Sequence, residues 1–78
     1  MSFKMLECVV LVHDVAGYDL RTGDMGTLVE VYSGGGVEVE FVTGSGDTLA
    51  LLTLDEKDVR RMDSRDLLAT RRLAKARS

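Results

Sequence analysis

Apolar and charged residues alternate strictly over Val37–Val42 (VEVEFV). Val37, Val39 and Phe41 fall on one face of an extended chain, and Glu38 and Glu40 on the other. Gly26–Tyr32 (GTLVEVY) repeats the pattern, with Thr27, Val29 and Val31 on one face and Leu28, Glu30 and Tyr32 on the opposite one. Leu6–Val12 (LECVVLV) is rich in β-branched residues and predicts a first strand, buried on both faces where Val9, Val10, Leu11 and Val12 run consecutively. Thr48–Thr53 (TLALLT) predicts another strand. Ser33–Gly36 and Thr43–Asp47 are glycine turns, since glycine reaches positive φ without steric cost. His13–Asp24 is a long polar loop. Leu54–Asp58 predicts one helical turn, its acidic residues suiting a helix N-terminus, and Val59–Met62 predicts a short closing strand.

This order is strand, long loop, three strands joined by tight turns, helical turn and short strand. It is the plan of a five-stranded SH3-like barrel over residues 1–62, an all-β architecture that hosts unrelated functions. Residues 63–78 differ. They contain strong helix formers and no glycine, with Asp63 or Ser64 as N-cap and Asp66 in the first turn. Leu67, Leu68 and Leu73 make too thin an apolar stripe to specify a docked helix, so the segment reads as a basic helix or a disordered tail.

Composition narrows the function classes. Seventy-eight residues make one small domain with a marginal core. Cys8 is the only cysteine, which excludes an internal disulfide, fits a reducing cytosol, and reads as a buried thiol. His13 is the only histidine, so a zinc site lacks ligands, and no EF-hand spacing occurs. No apolar run reaches the roughly 20 residues of a membrane span, and the N-terminus lacks a signal-peptide cleavage pattern. The net charge of −3 is unevenly distributed. The first 62 residues carry five basic and eleven acidic side chains, and the last sixteen carry five basic and two acidic.

Four segments together resemble a known family: Leu6–Leu11, the run LRTGDMGTLVEVY from Leu20 to Tyr32, Val37–Val42 and Thr48–Leu54. They are similar to small bacterial proteins grouped as domain of unknown function 4926, over about residues 3–62. The resemblance implies an SH3-like fold in a bacterial cytosolic protein and carries no activity and no catalytic residues. The GDMGT piece is loosely similar to the KOW modules of ribosomal and transcription proteins.

Candidate chemistry is sparse. Gly23-Asp24-Met25-Gly26 precedes a strand, whereas phosphate loops precede a helix, and Asp24 would repel phosphate. The better reading is a tight turn allowed by Gly23 and Gly26, with Asp24 accepting from local N–H groups. His13 beside Asp14 lacks the nucleophile of a triad. Tyr18 sits where SH3-like domains line peptide grooves, but four aromatic residues cannot build a rich cage or a stacking platform. Glu30, Glu38 and Glu40 on adjacent strands, with Tyr18 and Tyr32, form the candidate surface for a basic protein partner, for the chain's own tail, or for a second copy. Arg71, Arg72, Lys75 and Arg77 form the candidate contact for nucleic acid or an acidic protein.

The expectation is a non-enzymatic protein–protein interaction or regulatory module of the cytoplasm, accessory or antitoxin-like, without cofactor, metal or membrane. The alternative is a nucleic-acid-associated module binding through the tail. A third class, an enzyme assembled from symmetric copies, requires an oligomer.

Overall fold

The computed structural model describes residues 3–73. Five strands form one antiparallel sheet: β1 (Cys8–Leu11), β2 (Met25–Val31), β3 (Gly36–Val42), β4 (Thr48–Asp55) and β5 (Val59–Arg61). Their spatial order is β4-β3-β2-β1-β5. A 3₁₀ turn, Glu56–Asp58, precedes β5 as the acidic run predicts. Asp55 caps it reciprocally. The Asp55 carboxylate accepts from the Lys57 N–H at 2.9 Å, and Asp58 accepts from the Asp55 N–H at 2.9 Å.

The expected barrel is not closed: β4 and β5 are the two edges of an open sheet. A ladder needs facing rows of N–H and C=O groups. Here β4 has eight residues, while β5 has three and spends its pairing on β1. The core gathers Val9, Leu11, Leu20, Leu28, Val37, Val39, Phe41, Ala50 and Val59. The parity expected for β3 holds, with Val37, Val39 and Phe41 inside and both glutamates outside.

In β2 the parity differs from strict alternation. Leu28 pairs with Val39 but Glu30 pairs with Glu38, so Val29 is an extra residue bulged into the ladder. Leu28 therefore faces the core, 0% exposed, instead of sharing a face with Glu30. Without the bulge, a residue two beyond Leu28 would also point inward, and that residue is Glu30. The bulge turns Glu30 to solvent and lets Val31 pack against the core opposite Val37. Gly26 is also corrected. It belongs to β2, opposite Val9, and not to a turn. A Cβ there would lie 2.6 Å from Val39 Cγ1.

β1 is buried on both faces over Val9, Val10 and Leu11, but Val12, expected to continue that run, lies past the strand end and is 41% exposed. Val9 and Leu11 face the core, and Val10 is 5% exposed although it lies outside the core cluster. The strand is shorter than Leu6–Val12 because Leu6 adopts φ +66° and leaves the extended region. Cys8 is exposed and not buried, since it alternates with core-facing Val9.

Residues 63–73 contain no helix. The expected N-terminal signature does form one turn. Asp63 accepts from the Arg65 N–H at 2.8 Å, and Asp66 accepts from the Asp63 N–H at 2.6 Å. It does not propagate, because Leu67 and Leu68 find nothing to bury against and stay 87% and 72% exposed. Asp66 instead takes a bidentate contact from Arg60, at 2.9 and 2.7 Å. That guanidinium holds the Asp66 carboxyl down at about 2. No helix among the described residues is long and apolar enough to cross a membrane.

Candidate interaction site

The outer face of β2–β3–β4 gathers the three glutamates. Glu30 stands directly across from Glu38, and Glu40 is the next outward residue of β3, opposite Thr27 and Leu51. Like charges placed across a ladder repel. Hydroxyl donors compensate: Thr53 and Tyr32 both donate to Glu38 Oε1, at 2.7 and 3.2 Å, and Thr48 donates to Glu40 at 2.6 Å. Burial first, then its bond to Glu38, raises the Tyr32 phenol above its ordinary value. Exposed Leu51 and Val42 flank the glutamates. The surface is therefore acidic with apolar margins.

Tyr18, 48% exposed, does not join this group. Its loop enters β2 at Met25, whereas Glu30 lies near the far end of that strand, about 16 Å away at 3.3 Å per residue, and Tyr32 just past it. The loop lies elsewhere in the fold. An isolated bridge, Val15 with Leu20, pins it, and buried Leu20 anchors it in the core. The Thr22 N–H and hydroxyl both donate to Asp14 Oδ1, at 2.8 and 3.0 Å. Asp24 accepts from the Arg21 N–H at 2.7 Å, the role expected for it in a tight turn.

The described part of the tail returns to this loop and not to the glutamates. Arg71 Nε donates to Asp24 Oδ1 at 2.9 Å, and Nη2 donates to Asp24 Oδ2 at 2.5 Å and to the Asp19 carbonyl at 2.6 Å. Burial alone would raise the Asp24 carboxyl, but the Arg71 guanidinium and the Arg21 N–H hold it below its ordinary value. Arg72 is exposed, and Lys75 and Arg77 lie outside the described residues. Upstream, Arg60 pairs with Asp66, and Arg61 pairs with Glu7 with its guanidinium over the Phe3 ring, while Arg65 stays 92% exposed, 3.8 Å from Asp63. Nothing in the local pattern announces Asp19 and Asp24 as partners of Arg71. The only signal is the charge split between the body and the tail.

His13 closes a contact between distant segments. Its Nε2 is 2.5 Å from Asp58 Oδ1 and its Nδ1 is 2.9 Å from the Asp14 carbonyl. Both partners are acceptors, so only the doubly protonated ring satisfies both. The Asp14 carbonyl and then the Asp58 carboxylate raise the imidazole above its ordinary 6.5. A raised folded value stabilises fully below the unfolded value and is lost as pH climbs through the raised one. Thermal unfolding at about pH 5.5 and about pH 8.5 is expected to show wild type losing stability between them relative to His13→Gln, with the two chains alike at the higher pH. A constant difference between the chains would refute the imidazolium contact.

Among the described residues, no group of three His, Cys, Asp or Glu side chains is arranged to hold a metal ion. The family model described as Domain of unknown function (DUF4926) matches residues 5–61. The chain belongs to this family. The DUF4926 match spans all five strands and ends at Arg61, so the tail that delivers Arg71 lies beyond it. Comparison with curated proteins and with solved structures returned no match.

Proposed function

We propose that this DUF4926 chain is a non-enzymatic protein–protein interaction module whose outer sheet face receives a basic, amphipathic segment of a partner protein. One observation carries the reading. Glu30, Glu38, Glu40 and Tyr32 share one solvent face between exposed Leu51 and Val42, while Arg60, Arg61 and Arg71 are each engaged by carboxylates of the same chain. A surplus of outward carboxylates beside apolar margins attracts cationic residues and offers area for their apolar neighbours. The strand order, the long first loop and the 3₁₀ turn before the last strand support an SH3-like architecture, left open at one seam. A cytosolic, accessory or regulatory role fits such a module.

The nucleic-acid reading has less support. Phosphate binding requires cations available to a polyanion, and Arg60 and Arg71 are committed to carboxylates, which leaves Arg65 and Arg72 as the exposed cations of the described tail. Titrating the full chain with a synthetic basic amphipathic peptide and, separately, with single-stranded DNA tests the two. The peptide is expected to shift the amides of Glu38, Glu40 and Leu51. The double variant E38Q/E40Q is expected to weaken it about ten-fold, equivalent to about 1.4 kcal/mol. DNA binding that falls steeply with salt, and vanishes when Arg72, Lys75 and Arg77 are neutralised, would replace this reading with the alternative.

A further inference from the structure

The loop between β1 and β2 holds a guanidinium in a cradle of three acceptors: both carboxylate oxygens of Asp24 and the main-chain oxygen of Asp19. The Asp19 carboxylate adds a weaker approach, with Oδ1 at 4.0 Å from Nη1. The planar fork of arginine matches this set and the ammonium of lysine does not.

The cradle is built by the sheet and not by its occupant. The Asp24 carbonyl accepts from the Leu11 N–H at 2.9 Å, its N–H donates to Arg21 at 2.9 Å, and its carboxylate accepts from the Arg21 N–H. Asp19 sits at φ +56°, a conformation that side chains other than glycine adopt rarely. In that conformation, which aspartate enters more readily than most side chains, its carbonyl accepts from Arg71 Nη2. The occupant is held differently. Residues 67–72 are exposed, and among the described residues no main-chain hydrogen bond secures the stretch from Leu67 to Leu73. A loop fixed by main-chain bonds is thus filled by a side chain on an exposed stretch without them, and few such bonds mark a segment that opens locally at small cost.

We infer that the β1–β2 loop is an arginine-binding site, occupied in the resting protein by the chain's own Arg71, and that an arginine on an extended basic segment of a partner protein takes its place. The inference rests on the interaction reading above, and it adds a second contact point and a tail that competes for it. The choice of partner follows from three observations. The seated group is a guanidinium, the chain delivering it has no regular structure, and the first 62 residues carry eleven acidic against five basic side chains.

The test uses the full chain, its R71Q variant and a labelled peptide copying residues 68–73. Self-occupancy lowers the apparent affinity of wild type by the fraction of cradles standing open. R71Q is expected to bind the peptide about ten-fold more tightly than wild type does, with shifts centred on the amides of Asp19, Arg21 and Asp24. The same peptide with lysine for both arginines is expected to lose this gain, and so is R71Q carrying D24N. Equal affinity of R71Q and wild type, equal binding of the lysine peptide, or shifts centred on Glu38 and Glu40 would each overturn the inference. If D24N does not fold, the first two comparisons still decide. A wild-type dimer that R71Q converts to monomer would make the occupant a second copy's arginine and would also overturn it. Loop amides that stay still while the sheet face responds to the basic amphipathic peptide would sink this inference alone. Silence at both places would sink both readings.

Discussion

Replacing Leu28 by alanine is expected to remove about 3 kcal/mol of stability, within the usual 2–5 for truncating a buried leucine. The same replacement at neighbouring Val29 is expected to cost about 1 kcal/mol or less. Leu28 is 0% exposed and faces Val39, also 0% exposed, at the centre of the core. Truncation leaves a cavity walled by ladder residues that cannot collapse without breaking hydrogen bonds. Val29 is the bulged residue and only half-buried. A domain of this size has little stability to lose, so Leu28→Ala is expected to leave a visibly unfolded fraction at ambient temperature. Urea unfolding monitored by circular dichroism compares the two. Strict alternation predicts the reverse order, with Val29 the costly position, and that outcome would place the bulge elsewhere.

Gly26→Ala is expected to be nearly as damaging, at about 1–3 kcal/mol, the usual cost of overpacking a tight core. The added methyl would meet Val39 Cγ1 at 2.6 Å, the Glu40 carbonyl at 3.0 Å and Phe41 Cε1 at 3.0 Å. The valine and phenylalanine are core residues, and the carbonyl belongs to the β3 backbone, so relief requires β2 and β3 to move apart. Gly23 makes the comparison. It adopts φ +93° with nothing within 4 Å of an added Cβ, so alanine there costs only the left-handed backbone penalty, about 1 kcal/mol. In a domain this small, 1 kcal/mol moves the melting temperature by about 4–8 °C, and Gly26→Ala is expected to melt below Gly23→Ala. If Gly23→Ala melts lower than Gly26→Ala, turn conformation and not close approach is the reason for the glycines of this stretch.

Much of the site was legible along the chain. Glu38 and Glu40 face solvent because an uninterrupted strand turns alternate residues the same way, and β3 is uninterrupted through Phe41. Asp24 caps its own turn because an aspartate reaches an N–H three residues away without help. Glu30 ends on the same face as Glu38, yet by a route that alternation does not give. The bulge at Val29 shifts the parity after Leu28. The acidic signature at Asp63 and Asp66 formed its turn and stopped, because helix propagation needed an apolar face that Leu67 and Leu68 do not supply.

Strands, turns and the capped 3₁₀ turn were determined by the residues in place, since β-branching, positive φ and a capping carboxylate act within a few bonds of themselves. The open seam, the bulge, the close approach at Gly26, the exposure of Cys8 and the union of Arg71 with Asp24 were decided by tertiary structure. Each depends on the distance between segments remote in the chain, 47 residues apart for Arg71 and Asp24. A run of letters carries the charges of such a pair. Only the folded sheet brings them to 2.5 Å.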